Sequence, residues 1–234
     1  MHIIRHWHSF VEIETSTGSF LIDPFINGNP KCEISLDDIN KKKIRGILLT
    51  HGHGDHIGET VVIHQATHAP IVCEYGLRDY FLKEHGTDTT VGSLWGTVEC
   101  DGATIKFFVA PHGGGIMDNS SSYKCMSSWL LITVEGKSIY HAGDTSLTYD
   151  MKLLWDYHHV DVACVPIGDV YTMGVVDAAR AVWFIKPTIA FPIHFDTWDK
   201  LRVDPLEWAR LVMQDTKTVP KVLTPGQYVV LENA

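Results

Sequence analysis

"LLTHGHGDHIG" occupies residues 48–58. Aliphatic residues lead straight into His51, His53, Asp55 and His56, three imidazoles and a carboxylate within six positions. The stretch "IRGILLT" at 44–50 reads as a short apolar strand, the kind usually buried on both faces. Gly52 and Gly54 make a tight loop after it sterically easy. Such a loop lets His51 and His53 bend onto one ion while Asp55 and His56 face a second. Neutral imidazole and carboxylate suit zinc, iron or manganese. The competing reading is a polar loop that is merely histidine-rich, and the rest of the chain has to decide.

Three later segments favour the metal. "IKFFVAPH" delivers His112, "KSIYHAGDT" delivers Asp144, and "TIAFPIH" delivers His194, each directly after a stretch that reads as a buried strand. Loops at strand ends are where rigid scaffolds present chemistry. One such histidine alone would read as a satisfied core residue, and one such aspartate as a turn residue. Together with the His-x-His-x-Asp-His loop they form a ligand set.

The pattern along the chain predicts two sheets packed together with helices outside. "SFVEIET" and "GSFLIDP" form a hairpin. "SLDDINKKK" is a short helix capped by Ser35, and "HIGETVVIHQAT" and "YGLRDYFLKEHG" are helices, the latter stopped by Gly86. The middle of the chain alternates with period two and is punctuated by turn glycines, including a hairpin turning near Glu135–Gly136. Strands and helices then alternate: "MKLLWDYHHV" and "DAARAVWFIKP" read as helices, "VDVACVPIG" and "TIAFPIH" as strands, followed by the helix "DPLEWARLVMQDT" and the strand "YVVLE". Strands dominate early and helices late in each half, a rough two-part recurrence that suggests two sheets packed together with helices outside.

Composition sets the outer bounds. The 234 residues suffice for one large domain covering 1–234, and no linker or low-complexity segment interrupts them. A formal net charge of -9 makes the chain a poor general binder of nucleic acid. The five cysteines are scattered and form no Cys-x-x-Cys, so neither a disulfide framework nor a thiolate zinc site is expected. "MHIIRHWHSFVEIE" lacks the apolar core of a signal peptide, and no apolar run approaches a membrane span. The expectation is a cytoplasmic protein acting on a small molecule, with no membrane and no nucleic acid. A homo-oligomer is compatible with the sequence.

These motifs resemble the metallo-β-lactamase-fold superfamily: "THGHGDH" its His-x-His-x-Asp-His signature, "HAGDT" its bridging-aspartate segment, and "FPIHFDT" its last-histidine segment. "HSFVEIETSTGSFLIDPFINGNP" at 8–30, "PIGDVYTMGVVDAARAVWFIKP" at 166–187 and "FPIHFDTW" at 191–198 resemble the UPF0173 metal-dependent hydrolases, with lactonases of the ascorbate-6-phosphate type as more distant relatives. The resemblance implies two mixed sheets with helices on both outer faces and a site at one sheet edge. It implies His51, His53 and His112 on one divalent ion, Asp55, His56 and His194 on a second, Asp144 bridging them, and Asp23 orienting a ligand or loop. Zinc is the first expectation, with manganese or iron as alternatives. Oxygen-reducing di-iron relatives commonly have glutamate where this chain has His53, which favours hydrolysis. The chain departs from the group after His112: "APHGGGIMDNSSS" stands where the group has a His–Ser pair.

Metal-assisted hydrolysis of a lactone or other cyclic ester is the leading functional expectation, with a phosphodiesterase and a non-catalytic metal-binding or ligand-sensing protein as alternatives. No Gly-x-Ser-x-Gly elbow, Rossmann or P-loop glycine pattern is present. The expected chemistry uses Asp55 and Asp144 as catalytic carboxylates. "GDVYTMG" at 168–174 is expected to wall the pocket with Asp169, Tyr171, Thr172 and Met173, the Tyr171 hydroxyl orienting substrate. Asp177 is read as a cap or support of that loop, or simply as a carboxylate starting the next helix. Trp198 is the best tryptophan for lining the pocket. His141 is expected to be packed or to sit behind the ligands, and His158 and His159 to lie on the surface; His6 and His8 sit at the start of the first hairpin, where the resemblance hints at an approach of His8 to the site but the residues themselves favour an ordinary hairpin position.

Overall fold

The computed structural model describes residues 1–117 and 122–232. Two seven-stranded sheets face each other. The first runs, edge to edge, Tyr228–Val230, His2–Trp7, Phe10–Thr15, Gly18–Ile22, Ile44–Leu48, Ile71–Glu74 and Thr90–Gly92. The second runs Val219–Pro220, Ile189–Ile193, Val162–Pro166, Lys137–His141, Met126–Val134, Ala103–Gly113 and Thr97–Cys100. Each sheet has three successive antiparallel pairings and three successive parallel ones, the antiparallel set first in the order given for the first sheet and last in that for the second. The recurrence expected from the sequence is therefore a repeat of sheet topology.

Side-chain alternation explains the layering. Phe107, Leu130, Ile139 and Val162 pack inward against Ile3, Val11, Ile13 and Phe20 of the other sheet. Their chain neighbours Phe108, Leu131, Tyr140 and Ala163 point outward and are covered by Ala178, Val182, Trp208 and Val212 of the helices Val175–Ile185 and Pro205–Asp215. On the far side Leu21, Ile47 and Ile71 are covered by Ile39, Ile63 and Phe81 of three further helices. Each strand thus feeds two layers through a period of two. The result is the αββα sandwich. Among the described residues no helix is long and apolar enough to cross a membrane.

Local chemistry fixes the boundaries. Ser35 accepts a hydrogen bond from the Asp38 amide, as its position predicts. Gly86, at φ +64, ends the helix Arg78–His85. The hairpin at Glu135–Gly136 turns with both residues at positive φ, 50° and 73°, which suits the right-handed twist of the flanking strands. One expectation needs correction, and one strand was not expected. "HIGETVVIHQAT" is two helices, Gly54–Ile57 and Thr60–Thr67, broken at Gly58. A Cβ on Gly58 would stand 2.3 Å from the Pro24 carbonyl oxygen, so this close approach requires glycine. The stretch His2–Trp7 is itself a strand, paired with both Phe10–Thr15 and the closing strand Tyr228–Val230. Its charged and histidine side chains hid it from a hydrophobicity reading.

One buried ionic cluster ties the first sheet to the polar segment around 31–43. Glu12 is fully buried and accepts from Ser19 Oγ at 2.5 Å, from Lys42 Nζ at 2.7 and 2.8 Å, and from His6 Nε2 at 2.9 Å. His6 Nδ1 reaches Glu33 at 2.5 Å. Burial alone would raise the Glu12 pKa, but these partners outweigh it and hold it at about 2. A carboxylate depressed in the folded state stabilises above its ordinary pKa, and loses that contribution as pH falls from there through the folded value. Glu12→Gln is therefore expected to cost about 3 kcal/mol at neutral pH and to flatten the loss of stability between roughly pH 4.5 and pH 2. Urea unfolding midpoints across that range measure this; parallel curves for the two proteins would contradict it.

Candidate metal centre

The strand Ile44–Leu48 lies parallel to Gly18–Ile22, so the chain leaves both at the same end of the sheet. Asp23, at the end of one, holds the start of the other's loop: its Oδ1 accepts from the Thr50 amide at 2.9 Å and its Oδ2 from Thr50 Oγ1 at 2.7 Å. The chain then enters the one-turn helix Gly54–Ile57, with His53 at its N-cap and Asp55 in its first turn. This turn brings His51, His53, Asp55 and His56 to one end of the sandwich. The second sheet supplies the rest. His112 lies inside the long strand Ala103–Gly113 rather than after it, while Asp144 and His194 follow the ends of Lys137–His141 and Ile189–Ile193.

The side chains fall into two groups. His51, His53, His112 and Asp144 can each offer a donor atom within 4.8 Å of the others. So can His8, Asp55, His56 and His194. Asp144 stands between them: its Oδ1 is 3.2 Å from His56 Nε2, and its Oδ2 is 3.1 Å from His194 Nε2 and 3.5 Å from His112 Nε2. Gly143 makes this placement possible. At φ +53, any Cβ there would lie 2.7 Å from Thr50.

Behind the donors sit partners that fix their orientation. Asp23 Oδ2 is 2.7 Å from His56 Nδ1, and Thr50 Oγ1 is 3.0 Å from His51 Nδ1. His8 spans Thr197 Oγ1, 2.9 Å from its Nδ1, and Asp55 Oδ2, 3.1 Å from its Nε2. His141 is buried between the Ser9 carbonyl, 2.9 Å from its Nε2, and the Gly143 amide, which donates to its Nδ1 at 3.1 Å. It supports the Asp144 loop and does not belong to either donor group. Gly52 donates to the Gly114 carbonyl at 2.9 Å, joining the two histidine-bearing segments. The glycines after His112 thus serve close packing: a Cβ on Gly114 would meet Ser127 at 2.7 Å. Asp118 and Asn119, in the stretch "APHGGGIMDNSSS" that departs from the group, lie outside the described residues.

The electrostatics suit a cation. Burial lowers the pKa of His51 far below its usual value and also lowers those of His53 and His112, so these imidazoles are neutral. Burial opposes charge on Asp144, but His194 and His56 outweigh it and hold the carboxyl well below the usual range. Burial likewise disfavours a charged His56, yet Asp144 and Asp23 raise its pKa well above normal, so between these carboxylates its proton supplies the positive charge that a bound cation would replace. Neutral imidazoles and ionised carboxylates are the forms that bind metal. His51 Nε2 and His112 Nε2 stand 2.9 and 3.3 Å from His53 Nδ1. Nitrogens sharing a tetrahedral zinc at its usual bond length lie ~3.3 Å apart. His56 Nε2 and Asp144 Oδ1 are buried and make no hydrogen bond of sound geometry. These residues fit divalent ions.

Residues 19–195 match the beta-lactamase superfamily domain. A UPF0173 metal-dependent hydrolase from Geobacillus thermodenitrificans is 41% identical over 233 residues, 99% of this chain and all of that one. The chain belongs to the UPF0173 metal-dependent hydrolases. Among solved structures, the metallo hydrolase Igni18 from Ignicoccus hospitalis superposes with a TM-score of 0.88 at 28% identity, covering 99% of this chain and 98% of that one. CmlA, a diiron β-hydroxylase from Streptomyces venezuelae, shares the fold with a TM-score of 0.78 at 16% identity, over 98% of this chain and 54% of its own.

In this UPF0173 hydrolase all seven expected donors converge. The structure adds His8 as a full member of the second group. Its sequence signal was weak, a histidine at a hairpin corner, because its placement depends on a backbone turn at φ +52. Trp198 does line the site, its ring 5.0 Å from His8 and 6.2 Å from Phe25. The "GDVYTMG" loop spans the two donor-bearing segments. Gly168 lies against the His194 carbonyl, and the Met173 amide donates to the Thr145 carbonyl at 3.1 Å. Met173 is not pocket wall as expected: it is buried in the apolar layer under Val175–Ile185. Tyr171 is 54% exposed at the loop tip and makes no hydrogen bond among the described residues. Asp177 lies in the first turn of Val175–Ile185. His158 packs half-buried against Phe108, and His159 is exposed beside Asp161.

Asp23→Asn keeps the shape of the support and removes its charge. Residues that orient metal ligands typically matter 10–100-fold, and a loss of metal affinity of about that size is expected while the fold persists. Competition against a chromophoric chelator measures it, and wild-type affinity in the variant would contradict the supporting role.

Proposed function

We propose that this UPF0173 hydrolase is a dinuclear enzyme, with zinc in both sites, that opens a small lactone or other cyclic ester in the cytoplasm. Manganese and iron suit the same donors. The observation that carries this reading is Asp144, whose two oxygens face donors of both groups at 3.1–3.5 Å. Divalent ions bound there would lower the pKa of a water and polarise the oxygen of the scissile bond. The chain's own residues do the rest. His51, His53 and His112 would hold one ion, and Asp55, His56 and His194, with His8 beside them, would hold the other. Asp55, fixed by His8, is the carboxylate placed to accept a proton from the attacking water. Tyr171, at the tip of a loop anchored beside His194 and Thr145, orients the substrate with its hydroxyl.

An uncharged ester fits better than a phosphodiester. Lys31, which flanks the His194 segment, pairs with Asp196, and the exposed Arg202 pairs with Asp199 at 2.9 Å, so each already has a carboxylate partner. Assay of the metal-loaded protein against lactones, phosphodiesters and β-lactams is expected to find turnover among the lactones. Turnover confined to phosphodiesters would replace this reading with the phosphodiesterase, and no turnover with full metal would favour a binding protein.

Metal analysis of gently purified protein is expected to approach two ions per chain. Asp144→Ala should weaken both, and His158→Ala neither; unchanged affinity in the Asp144 variant would refute the bridge. Tyr171→Phe should keep both ions and lower turnover by up to ~100-fold, the usual effect of a well-placed donor. Unchanged kcat and kcat/KM with full metal would make Tyr171 a bystander.

A further inference from the structure

The second donor group is assembled from backbone that is not at rest. Trp7, His8, His194 and Asp196 all have positive φ, at 88°, 52°, 51° and 55°. None is glycine, so each is held there by its surroundings. The pairing between the first two strands slips between Arg5 and Trp7. The two strained corners meet: the His194 amide donates to the His8 carbonyl at 3.0 Å, and the two imidazole rings pack at a tilt of 42° with centroids 4.1 Å apart.

What holds the corners together lies one residue further out on each side. Trp7 precedes His8 and Phe195 follows His194, and their rings pack with centroids 5.3 Å apart. The Arg5 guanidinium carbon lies 3.7 Å from the Trp7 ring centre and 4.4 Å from that of Phe195. Lys31 Nζ adds a second cation 5.0 Å from the Trp7 ring, and Lys31 also pairs with Asp196. Arg5 is completely buried, yet its guanidinium makes one hydrogen bond, to the Leu223 carbonyl at 2.6 Å, and its Nε and Nη2 have no acceptor. A buried guanidinium left short of acceptors gains its compensation from the faces of the aromatic rings, where cation–π attraction is strongest away from water. Asp23 backs both groups, through Thr50 to His51 and directly to His56, whereas the Gly52–Gly114 hydrogen bond supports the first group alone and the paired corners of His8 and His194 support only the second.

We propose that Arg5, Trp7 and Phe195 form a cation–aromatic clamp that positions His8 and His194 and so sets the affinity of the second metal group independently of the first. These are positioning residues, and the inference rests on the dinuclear reading above. Cobalt(II) alone serves as the probe, titrated into metal-free protein and followed by calorimetry and visible absorption. Trp7→Gly is the informative variant, because glycine adopts φ +88° freely while removing the ring. Arg5→Met removes the cation and keeps the bulk. His8→Ala, which deletes a donor of the second group, marks which binding step belongs to that group.

The wild type is expected to bind two ions. In Trp7→Gly and Arg5→Met the step marked by His8→Ala should weaken by 10-fold or more, with the other step within twofold. Trp7→Phe, which keeps a ring face for the cation, should restore most of the loss. Equal weakening of both steps, or a fall in melting temperature with both steps unchanged, overturns the clamp and leaves the dinuclear reading intact. A wild type that binds fewer than two ions overturns that reading and the clamp with it. If Arg5→Met does not fold, Trp7→Gly and its phenylalanine rescue decide the matter alone.

Discussion

Two buried carboxylates hold one imidazole between them, and the site is organised around that arrangement. His56 is fully buried, 2.7 Å from Asp23 on one side and 3.2 Å from Asp144 on the other. Asp23 belongs to the first sheet and Asp144 to the second, so His56 joins the two halves of the sandwich at their open end. An isolated ion at such depth would be prohibitively costly to desolvate. The carboxylates therefore demand positive charge, and the neutral imidazoles around them supply lone pairs to bind it.

The fold supplies this geometry without building any of the site from one element. Parallel strands release their chains at the same sheet end, so Asp23, the His51–His56 loop, Asp144 and His194 emerge together. Rigid layers fix where each loop begins. Backbone strain at Asp23, His8 and His194 then aims the side chains, all three at positive φ. Strain concentrated at functional positions is tolerable when well-packed layers over-determine the local conformation, and here the inner and outer apolar layers lie directly behind the loops.

Much of this was legible in the sequence. The His-x-His-x-Asp-His loop, His112, Asp144 and His194 were each marked by an apolar strand running into a polar residue, a local pattern. Asp23 and Trp198 were also legible. The sandwich followed from periodicity and from the order of elements. His8 could not be read with the same assurance, because nothing local distinguishes it: it meets His194 only through a turn at Trp7 and a contact 186 positions along the chain. Arg5 is the plainest case. A charged residue in a strand that hydrophobicity did not mark gives no hint that it is buried and that two aromatic rings enclose it. Met173 was misplaced for the opposite reason: the loop's glycines suggested an open wall, while the helix that follows draws its thioether into the apolar layer.

The central claim is that two cations share Asp144. Crystals of the zinc-loaded protein measured at the zinc absorption edge test it most directly. The account predicts two anomalous peaks ~3.5–4 Å apart, the usual spacing of paired catalytic ions, with one Asp144 oxygen or both between them and His8 beside the second. A single peak at full zinc, or two peaks with Asp144 contacting only one, would contradict it.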